Sequence, residues 1–146
     1  VIIIGGGAAG ISAGLWCAEL GLRSIILESN NELGGQLLWT YNAIQNHLGI
    51  EAQNGRELQN IFLKQIESRQ IEILLNCQIT KIDAKEKQVK FSDNSYLSAE
   101  VLVVATGIRR RKLGLENEEN FKGHGILESG KRDGKKVKGK NVCVVG

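Results

Sequence analysis

The sequence contains no methionine and no proline, and its apolar runs are short. The longest of these runs is far below the roughly 20 residues that a membrane-spanning helix needs, which excludes a spanning segment. No signal peptide is visible. Because the chain lacks an initiator methionine and both begins and ends in an apolar run, we expect a segment of a longer protein.

Cysteine is also scarce, at Cys17, Cys77 and Cys143. These positions are far apart and form neither a C-x-x-C pair nor a zinc-binding spacing, so we expect no metal site. The pattern excludes the disulfide framework of a small secreted protein and favours a cytoplasmic location. We expect the three side chains to pack as small apolar groups, with Cys143 in a buried strand.

Charge is distributed unevenly along the chain. Residues 1–108 carry 8 basic and 11 acidic side chains, whereas residues 109–146 carry 11 basic and 5 acidic ones. The basic excess lies in Arg109–Lys112 and Lys131–Lys140. A solvated connector is favoured over a nucleic-acid or membrane patch, and Lys131–Lys140 has no interleaved aromatic residues on which bases would stack.

The first part of the chain predicts a β-α-β unit. Val1–Ile4 and Ser24–Glu28 are apolar and β-branched, as is typical of buried parallel strands. Between them Ala8–Leu20 has the spacing of a helix, and Gly21 is a natural C-terminal stop. Parallel strands joined in this way require a right-handed crossover.

The remaining patterns complete an α/β fold with a parallel sheet and a small antiparallel β-meander. In chain order they predict a loop over Asn30–Ile50, a helix over Gly55–Arg69, a strand over Ile71–Leu75, the meander from Gln78 to Leu97, a strand over Glu100–Ala105, a polar connector over residues 109–139 and a strand over Asn141–Gly146.

A glycine fingerprint follows the first predicted strand. Gly5, Gly7 and Gly10 form G-x-G-x-x-G, in which the first glycine permits a tight turn, the second admits a pyrophosphate and the third allows close helix packing. The diphosphate would then lie at the positive end of the helix. Glu28, 18 residues after Gly10, would accept hydrogen bonds from ribose hydroxyls and repel a 2′-phosphate. The context predicts a dinucleotide site that does not hold NADP.

Together with Gly34–Leu37 and Ala105–Gly107, this fingerprint resembles the two-dinucleotide-binding flavoproteins, and within them the low-molecular-weight thioredoxin reductases. The similarity covers nearly all of the chain. It implies bound FAD, NAD(P)H as electron donor and a homodimer. Further markers of the resemblance are Asn46 with Gly49, Phe121–Gly125, and Gly139 with Val142–Gly146.

The resemblance also implies which residues contact FAD. Gly5, Gly7, Ala8 and Gly10 would hold the diphosphate and Glu28 the adenosine ribose. The other implied contacts are Gly35, Gln36 and Leu37 along the diphosphate and ribityl chain, Asn46 toward the isoalloxazine, the backbone of Ile79 at the adenine, and Ala105, Thr106 and Gly107 closing over the cofactor.

The same resemblance implies a domain division. Residues 1–112 would be the N-terminal part of a Rossmann-like FAD-binding domain, residues 113–139 a connector, and residues 140–146 the first strand of a Rossmann-like NAD(P)H-binding domain. Gly146 would be the first glycine of a second fingerprint.

One feature of the thioredoxin reductases is missing. Their C-x-x-C dithiol precedes an Asp-Gly pair, which here is Asp133-Gly134, and the cysteine positions fall on Ser129 and Arg132. Neither side chain passes electrons as a thiolate, so we assign no catalytic residue. Of the two histidines, His47 is expected near the flavin face, where a proton role is weighed against a surface position.

These observations favour an FAD-dependent oxidoreductase that passes electrons from NAD(P)H to an acceptor not reached through a C-x-x-C pair. A ferredoxin- or flavodoxin-NADP reductase of the thioredoxin-reductase-like type fits. Lys131–Lys140 would dock a small acidic electron carrier (ferredoxin, flavodoxin or thioredoxin-like). The alternatives are a disulfide reductase whose cysteines lie in a later segment or another chain, and a flavin-binding sensor or interaction module without turnover. Nucleic-acid binding ranks last.

Overall fold

The computed structural model describes residues 1–109 and 111–145. The chain divides into two compact units, Val1–Ile108 and Arg109–Gly146. Arg110, in the basic stretch, and Gly146, the predicted first glycine of a second fingerprint, lie outside the described residues. The predicted division into an FAD-binding domain, a connector and an NAD(P)H-binding domain stays a prediction.

Seven strands and four α-helices follow one another along the described chain. The strands are β1 (Ile2–Ile4), β2 (Ser24–Leu27), β3 (Ile71–Leu74), β4 (Ile79–Asp83), β5 (Gln88–Phe91), β6 (Tyr96–Ser98) and β7 (Leu102–Val104). The helices are α1 (Ala8–Glu19), α2 (Gly55–Ile66), α3 (Glu118–Phe121) and α4 (Gly130–Asp133), with 3₁₀ helices at Gly35–Trp39 and Gly134–Val137.

A parallel sheet of four strands, in the order β3-β2-β1-β7, forms the centre of the first unit. Ile3 is in register with Ile26 on one side and with Val103 on the other. Ile3 and Ile26 are both 0% exposed. Strands covered on both faces need apolar side chains at successive positions, which is why the sequence shows unbroken β-branched runs here.

Each face of this sheet is covered by a different layer. Ile3 and Ile26 pack with Ile11, Cys17 and Ile66 from the two long helices. The opposite face, with Ile2, Ile4 and Leu27, packs on Val89 of β5. The three-layer arrangement explains why alternate residues of one short strand belong to two separate cores.

The covering layer on the second face is the antiparallel sheet β4-β5-β6. Val89 lies in its central strand, in register with Ile82 and Leu97. The meander, the β-α-β unit and the parallel sheet predicted from the sequence are therefore confirmed.

The structure corrects four expectations in detail. The second long helix ends at Ile66, where the N–H of Arg69 closes a final turn on the Ile66 carbonyl. The predicted loop over Asn30–Ile50 contains the 3₁₀ helix, and the polar connector contains α3 and α4. Residues 141–145 form no strand, because no described segment pairs with them and a strand is defined by its pairing.

Cys143 lies in that unpaired segment and is exposed, so its predicted burial is wrong. Among the described residues, no helix has the length and apolar character to cross a membrane.

Among the described residues, the buried side-chain atom that forms no hydrogen bond is the hydroxyl oxygen of Ser24, at the start of β2. A buried hydroxyl without a hydrogen bond costs desolvation energy and gains nothing, so we expect Ser24→Ala to raise the free energy of unfolding by about 1 kcal/mol. Urea denaturation of the full-length protein would measure it. Ser98→Ala is the control, since the exposed Ser98 hydroxyl accepts a hydrogen bond from Gln88. A loss of stability in Ser24→Ala would contradict the assignment.

Candidate functional site

The first glycine loop, Gly5–Gly10, connects β1 to α1, and two of its glycines are required by the chain itself. Gly5 has φ +107°, and a Cβ there would overlap the carbonyl oxygen of Ala105 just after β7. A Cβ at Gly10 would overlap the carbonyl oxygen of Gly5. The turn after β1 and the first turn of α1 are therefore packed backbone against backbone, as the fingerprint predicts.

Gly7 differs from both. Its backbone is extended, with φ −77° and ψ −173°, a conformation that any residue adopts. A Cβ there would meet only the Cα of Gly35, at an ordinary 3.8 Å. Nothing within the described chain requires glycine at this position. The space that a side chain would fill is left open in front of the helix, as a site for close approach of a ligand to the backbone requires.

The first turn of α1 faces this space and carries no acidic residue of its own. Gly7 is the N-cap and has no side chain to accept a hydrogen bond. The first N–H groups of a helix have no intrahelical acceptor, and the helix dipole adds positive potential there. The first glycine loop thus has the features of a phosphate-binding loop.

The second glycine loop, Gly34–Leu37, lies directly against the first. Gly34 forms a parallel bridge with Gly7, and the Gly34 N–H donates to the carbonyl of Gly6 at 2.7 Å. Gly34 and Gly35 have φ +133° and +51°, and a Cβ on Gly35 would lie 3.0 Å from the Cα of Gly7. The structure therefore brings the two glycine segments of the sequence together, backbone to backbone.

A third predicted segment joins them. The Ala105 N–H donates to the carbonyl of Ile4 at 2.8 Å, and Thr106 and Gly107 follow, exposed, at the end of β7. The Gln36 amide donates to the carbonyl of Ile108 at 2.9 Å. The segment after β7 is therefore held to both glycine loops.

Glu28, at the end of β2, is buried beneath these loops with 5% of its surface exposed. Its Oε2 accepts from the N–H of Gly6 at 2.7 Å. Its Oε1 accepts from the Asn30 N–H at 2.9 Å, the Asn30 amide at 2.7 Å and the Ser29 hydroxyl at 3.2 Å. A carboxylate has about four acceptor positions, two on each oxygen. Oε1 accepts three of these hydrogen bonds and Oε2 accepts one, so a further hydrogen bond from a ribose hydroxyl would be accepted by Oε2.

Two of the predicted contacts lie apart from this cluster. Asn46 is exposed in a loop whose base is closed by the paired Ile44 and Ala52. Ile79 is half-buried at the first position of β4. The roles implied for the predicted cofactor-binding residues stay predictions.

Sequence reasoning missed three residues that shape the site. Gly6 donates to Glu28, and a Cβ there would overlap the side chain of Leu33. Asn30 supplies two of the four bonds to the Glu28 carboxylate. Gln59 of α2 is buried and donates to the Leu33 carbonyl. The run of three glycines is a signal for Gly6, but the contact of Gln59 spans 26 positions and left no local pattern.

Neither buried cysteine is placed to act as a nucleophile. Burial raises the pKa of the Cys77 thiol, so it stays protonated at neutral pH, and Cys17 packs in the core from the buried face of α1. Both fit the prediction of a small apolar group. The exposed His47 ring packs at 5.6 Å from the ring of Phe62.

In the second unit, the positions expected for a dithiol form a helix cap and an ion pair. The Ser129 hydroxyl accepts from the Arg132 N–H at 3.3 Å and caps α4. The Arg132 guanidinium donates to both oxygens of Asp133, at 2.9 and 2.7 Å. These bonds hold the pKa of the Asp133 carboxyl at about 2. The residues have a structural role that a sequence comparison with dithiol enzymes does not suggest.

We expect Arg132→Gln to raise the pKa of Asp133 toward its ordinary value of about 3.9. Because the folded pKa lies below the unfolded one, the ionised carboxylate stabilises the fold above about pH 4, and that contribution is lost as the pH falls through about 2. A carboxyl ¹³C NMR titration would measure the pKa. Lys136→Gln is the control, with a smaller rise expected, because its ammonium lies at 3.5 Å. Equal shifts in the two variants would contradict the assignment.

Comparison with known proteins agrees with this geometry. The family model described as pyridine nucleotide-disulphide oxidoreductase matches residues 1–146. The chain is 33% identical to thioredoxin reductase of Buchnera aphidicola, aligning over 100% of this chain and 46% of that protein. It is 26% identical to NADH dehydrogenase of Bacillus subtilis, over 100% of this chain and 28% of that protein.

Among solved structures, thioredoxin reductase of Lactococcus lactis in the FR conformation matches with a TM-score of 0.77 and 27% identity. That match covers 91% of this chain and 43% of the other. The chain thus spans less than half the length of each of these proteins. It belongs to the pyridine nucleotide-disulphide oxidoreductase family.

Proposed function

We propose that the first unit binds the FAD of an NAD(P)H-dependent flavoprotein oxidoreductase. The observation that carries the proposal is Gly7, a glycine that neither torsion nor packing against the described residues requires, at the uncapped end of α1. Thioredoxin reductases in this family use FAD and NAD(P)H. A dinucleotide diphosphate is the ligand whose charge and need for close approach match that position.

The residues present fit the cofactor. Gly7, Ala8 and Gly10 would hold the diphosphate through backbone N–H groups, and Gly35 would lie along it from the second glycine loop. Oε2 of Glu28 would accept a hydrogen bond from a ribose hydroxyl. The negative charge of Glu28 would repel a 2′-phosphate, so the site favours FAD over NADP.

The flavin would supply the hydride-accepting chemistry that the side chains of this chain lack. The chain's own contribution is to bind and orient. The Glu28 carboxylate fixes the first glycine loop through Gly6, and Gln36 fixes the second loop to Ile108. Asn46, Ile79 and Thr106 would add the contacts that the resemblance implies.

The electron acceptor is part of the proposal. Ser129 and Arg132 carry no thiol, so electrons would leave the flavin by a route other than a dithiol in this segment. A ferredoxin- or flavodoxin-NADP reductase is the second candidate, which the same two residues favour. A small acidic carrier would meet the exposed lysines of the stretch Lys131–Lys140, which are Lys131, Lys135, Lys136, Lys138 and Lys140. A homodimer and a cytoplasmic location stay predictions.

The proposed reduction of the flavin by NAD(P)H is tested with the full-length protein under anaerobic conditions. We expect a bound flavin absorbance band that bleaches near stoichiometrically when NADH or NADPH is added, and the better donor identifies the coenzyme. Absorbance titration with each donor measures this. Bound flavin that neither donor bleaches would overturn the reductase proposal and favour the flavin sensor.

The binding site is tested by Gly7→Ala. Apart from its chain neighbours, the nearest described atom to an added methyl group is the Cα of Gly35 at 3.8 Å, so the fold should be unchanged. It would occupy the space proposed for the diphosphate, so we expect the FAD dissociation constant to rise at least about tenfold, or ~1.4 kcal/mol. Equilibrium binding to the flavin-stripped full-length protein measures it.

Gly130→Ala provides the matched control. Gly130, the first residue of α4, has no neighbour among the described residues within 4 Å of an added Cβ and, like Gly7, no positive φ. We expect it to bind FAD as the natural protein does. Unchanged affinity in Gly7→Ala would count against the proposed site.

A further inference from the structure

We propose that Gln59 is a positioning residue that holds the second glycine loop at the distance from Gly7 that the dinucleotide needs. Its partners in this role are Arg56 and Glu32. The inference rests on the proposed function, because it assigns to these residues the geometry of the FAD site rather than only the stability of the fold.

Gln59 is an unusual occupant of its position. It lies in α2 and is only 2% exposed, on the face that also buries Leu58 and Ile66. A leucine would bury that face without the cost of desolvating an amide. What the amide adds is a directed hydrogen bond.

That bond goes to the residue immediately before the second glycine loop. Nε2 of Gln59 donates to the carbonyl of Leu33. The same nitrogen lies 3.1 Å from the position that a Cβ on Gly34 would occupy, so the amide also lies beside the loop itself. Gln59 therefore binds Leu33 and borders the first residue of the loop.

Arg56 fixes the orientation of this amide and adds a second connection. Its Nη1 donates to Oε1 of Gln59 at 3.3 Å, which directs the amide nitrogen toward Leu33. The guanidinium also bonds both carboxylate oxygens of Glu32. The pair keeps the pKa of Glu32 below its ordinary value, so it stays ionised at neutral pH. Two consecutive residues, Glu32 and Leu33, are thus bound to one helix.

The second glycine loop needs such a support. Gly34 and Gly35 both have positive φ, and paired glycines have the greatest backbone freedom to lose on ordering. A Cβ on Gly35 would lie 3.0 Å from the Cα of Gly7, so the position of the loop determines how much space is open in front of α1. A rigid helix that holds the loop at Leu33 sets that spacing.

The test uses the full-length protein with Gln59→Leu, which keeps the volume and removes the amide. We expect the FAD dissociation constant to rise about tenfold. We also expect faster hydrogen exchange in residues 33–37 of the flavin-free protein, a readout that does not depend on activity. Arg56→Gln, at an exposed position, removes both the orienting contact and the ion pair with Glu32, and is expected to raise the dissociation constant about threefold.

Leu58→Ala is the matched control, because it destabilises the same helix from the adjacent buried position and keeps the Gln59 amide. It should lower the melting temperature and leave both FAD affinity and exchange in residues 33–37 close to those of the natural protein. The proposal is overturned if Leu58→Ala and Gln59→Leu weaken FAD binding equally, or if Gln59→Leu changes neither affinity nor exchange.

Different results would overturn the proposed function and the proposed role of Gln59. A natural full-length protein that binds no FAD would overturn the proposed function. Hydrogen exchange in residues 33–37 would then decide by itself whether Gln59 positions the loop, with selective acceleration in Gln59→Leu supporting it and unchanged exchange overturning it.

Discussion

The architecture of the first unit depends on the direct approach of backbone to backbone at the glycine loops. The carbonyl of Ala105 occupies the place of a side chain on Gly5, and the carbonyl of Gly5 occupies that on Gly10. Because no Cβ intervenes, the strand, the turn and the helix share one tight junction. The parallel sheet, the direction of α1 and the approach of the second glycine loop all follow from the closeness of this junction.

A buried charge stabilises the same junction. The Glu28 carboxylate is buried, and a buried carboxylate is tolerated only when hydrogen bonds replace its lost solvation. Gly6, Ser29 and Asn30 provide four donors between them. The residue expected to recognise a ribose is therefore also a structural link between β2 and the first glycine loop. A substitution there would disturb the loop as well as the ligand, and affinity data on Glu28 would have to be interpreted with both roles in mind.

Local polar interactions organise α4 in the second unit. Ser129 begins this short helix, and Arg132 neutralises the buried Asp133 beside it. Neither Ser129 nor Arg132 carries a thiol, so the structure holds a helix cap and an ion pair at these two positions.

The sequence by itself determined the local elements. Unbroken β-branched runs specified β1 and β2, the fingerprint specified the turn into α1, and alternating residues specified the meander, since each is dictated by nearest neighbours along the chain. Only the tertiary structure decided that Gly7 is free of packing constraints, that Glu28 binds Gly6, and that Gln59 supports Leu33. The two hydrogen bonds join residues 22 and 26 positions apart, and the freedom of Gly7 depends on what lies opposite its Cα, so no local pattern records them. The strand predicted over Asn141–Gly146 is absent from its described residues, 141–145, for the same reason, because a strand requires a partner that a segment alone does not provide.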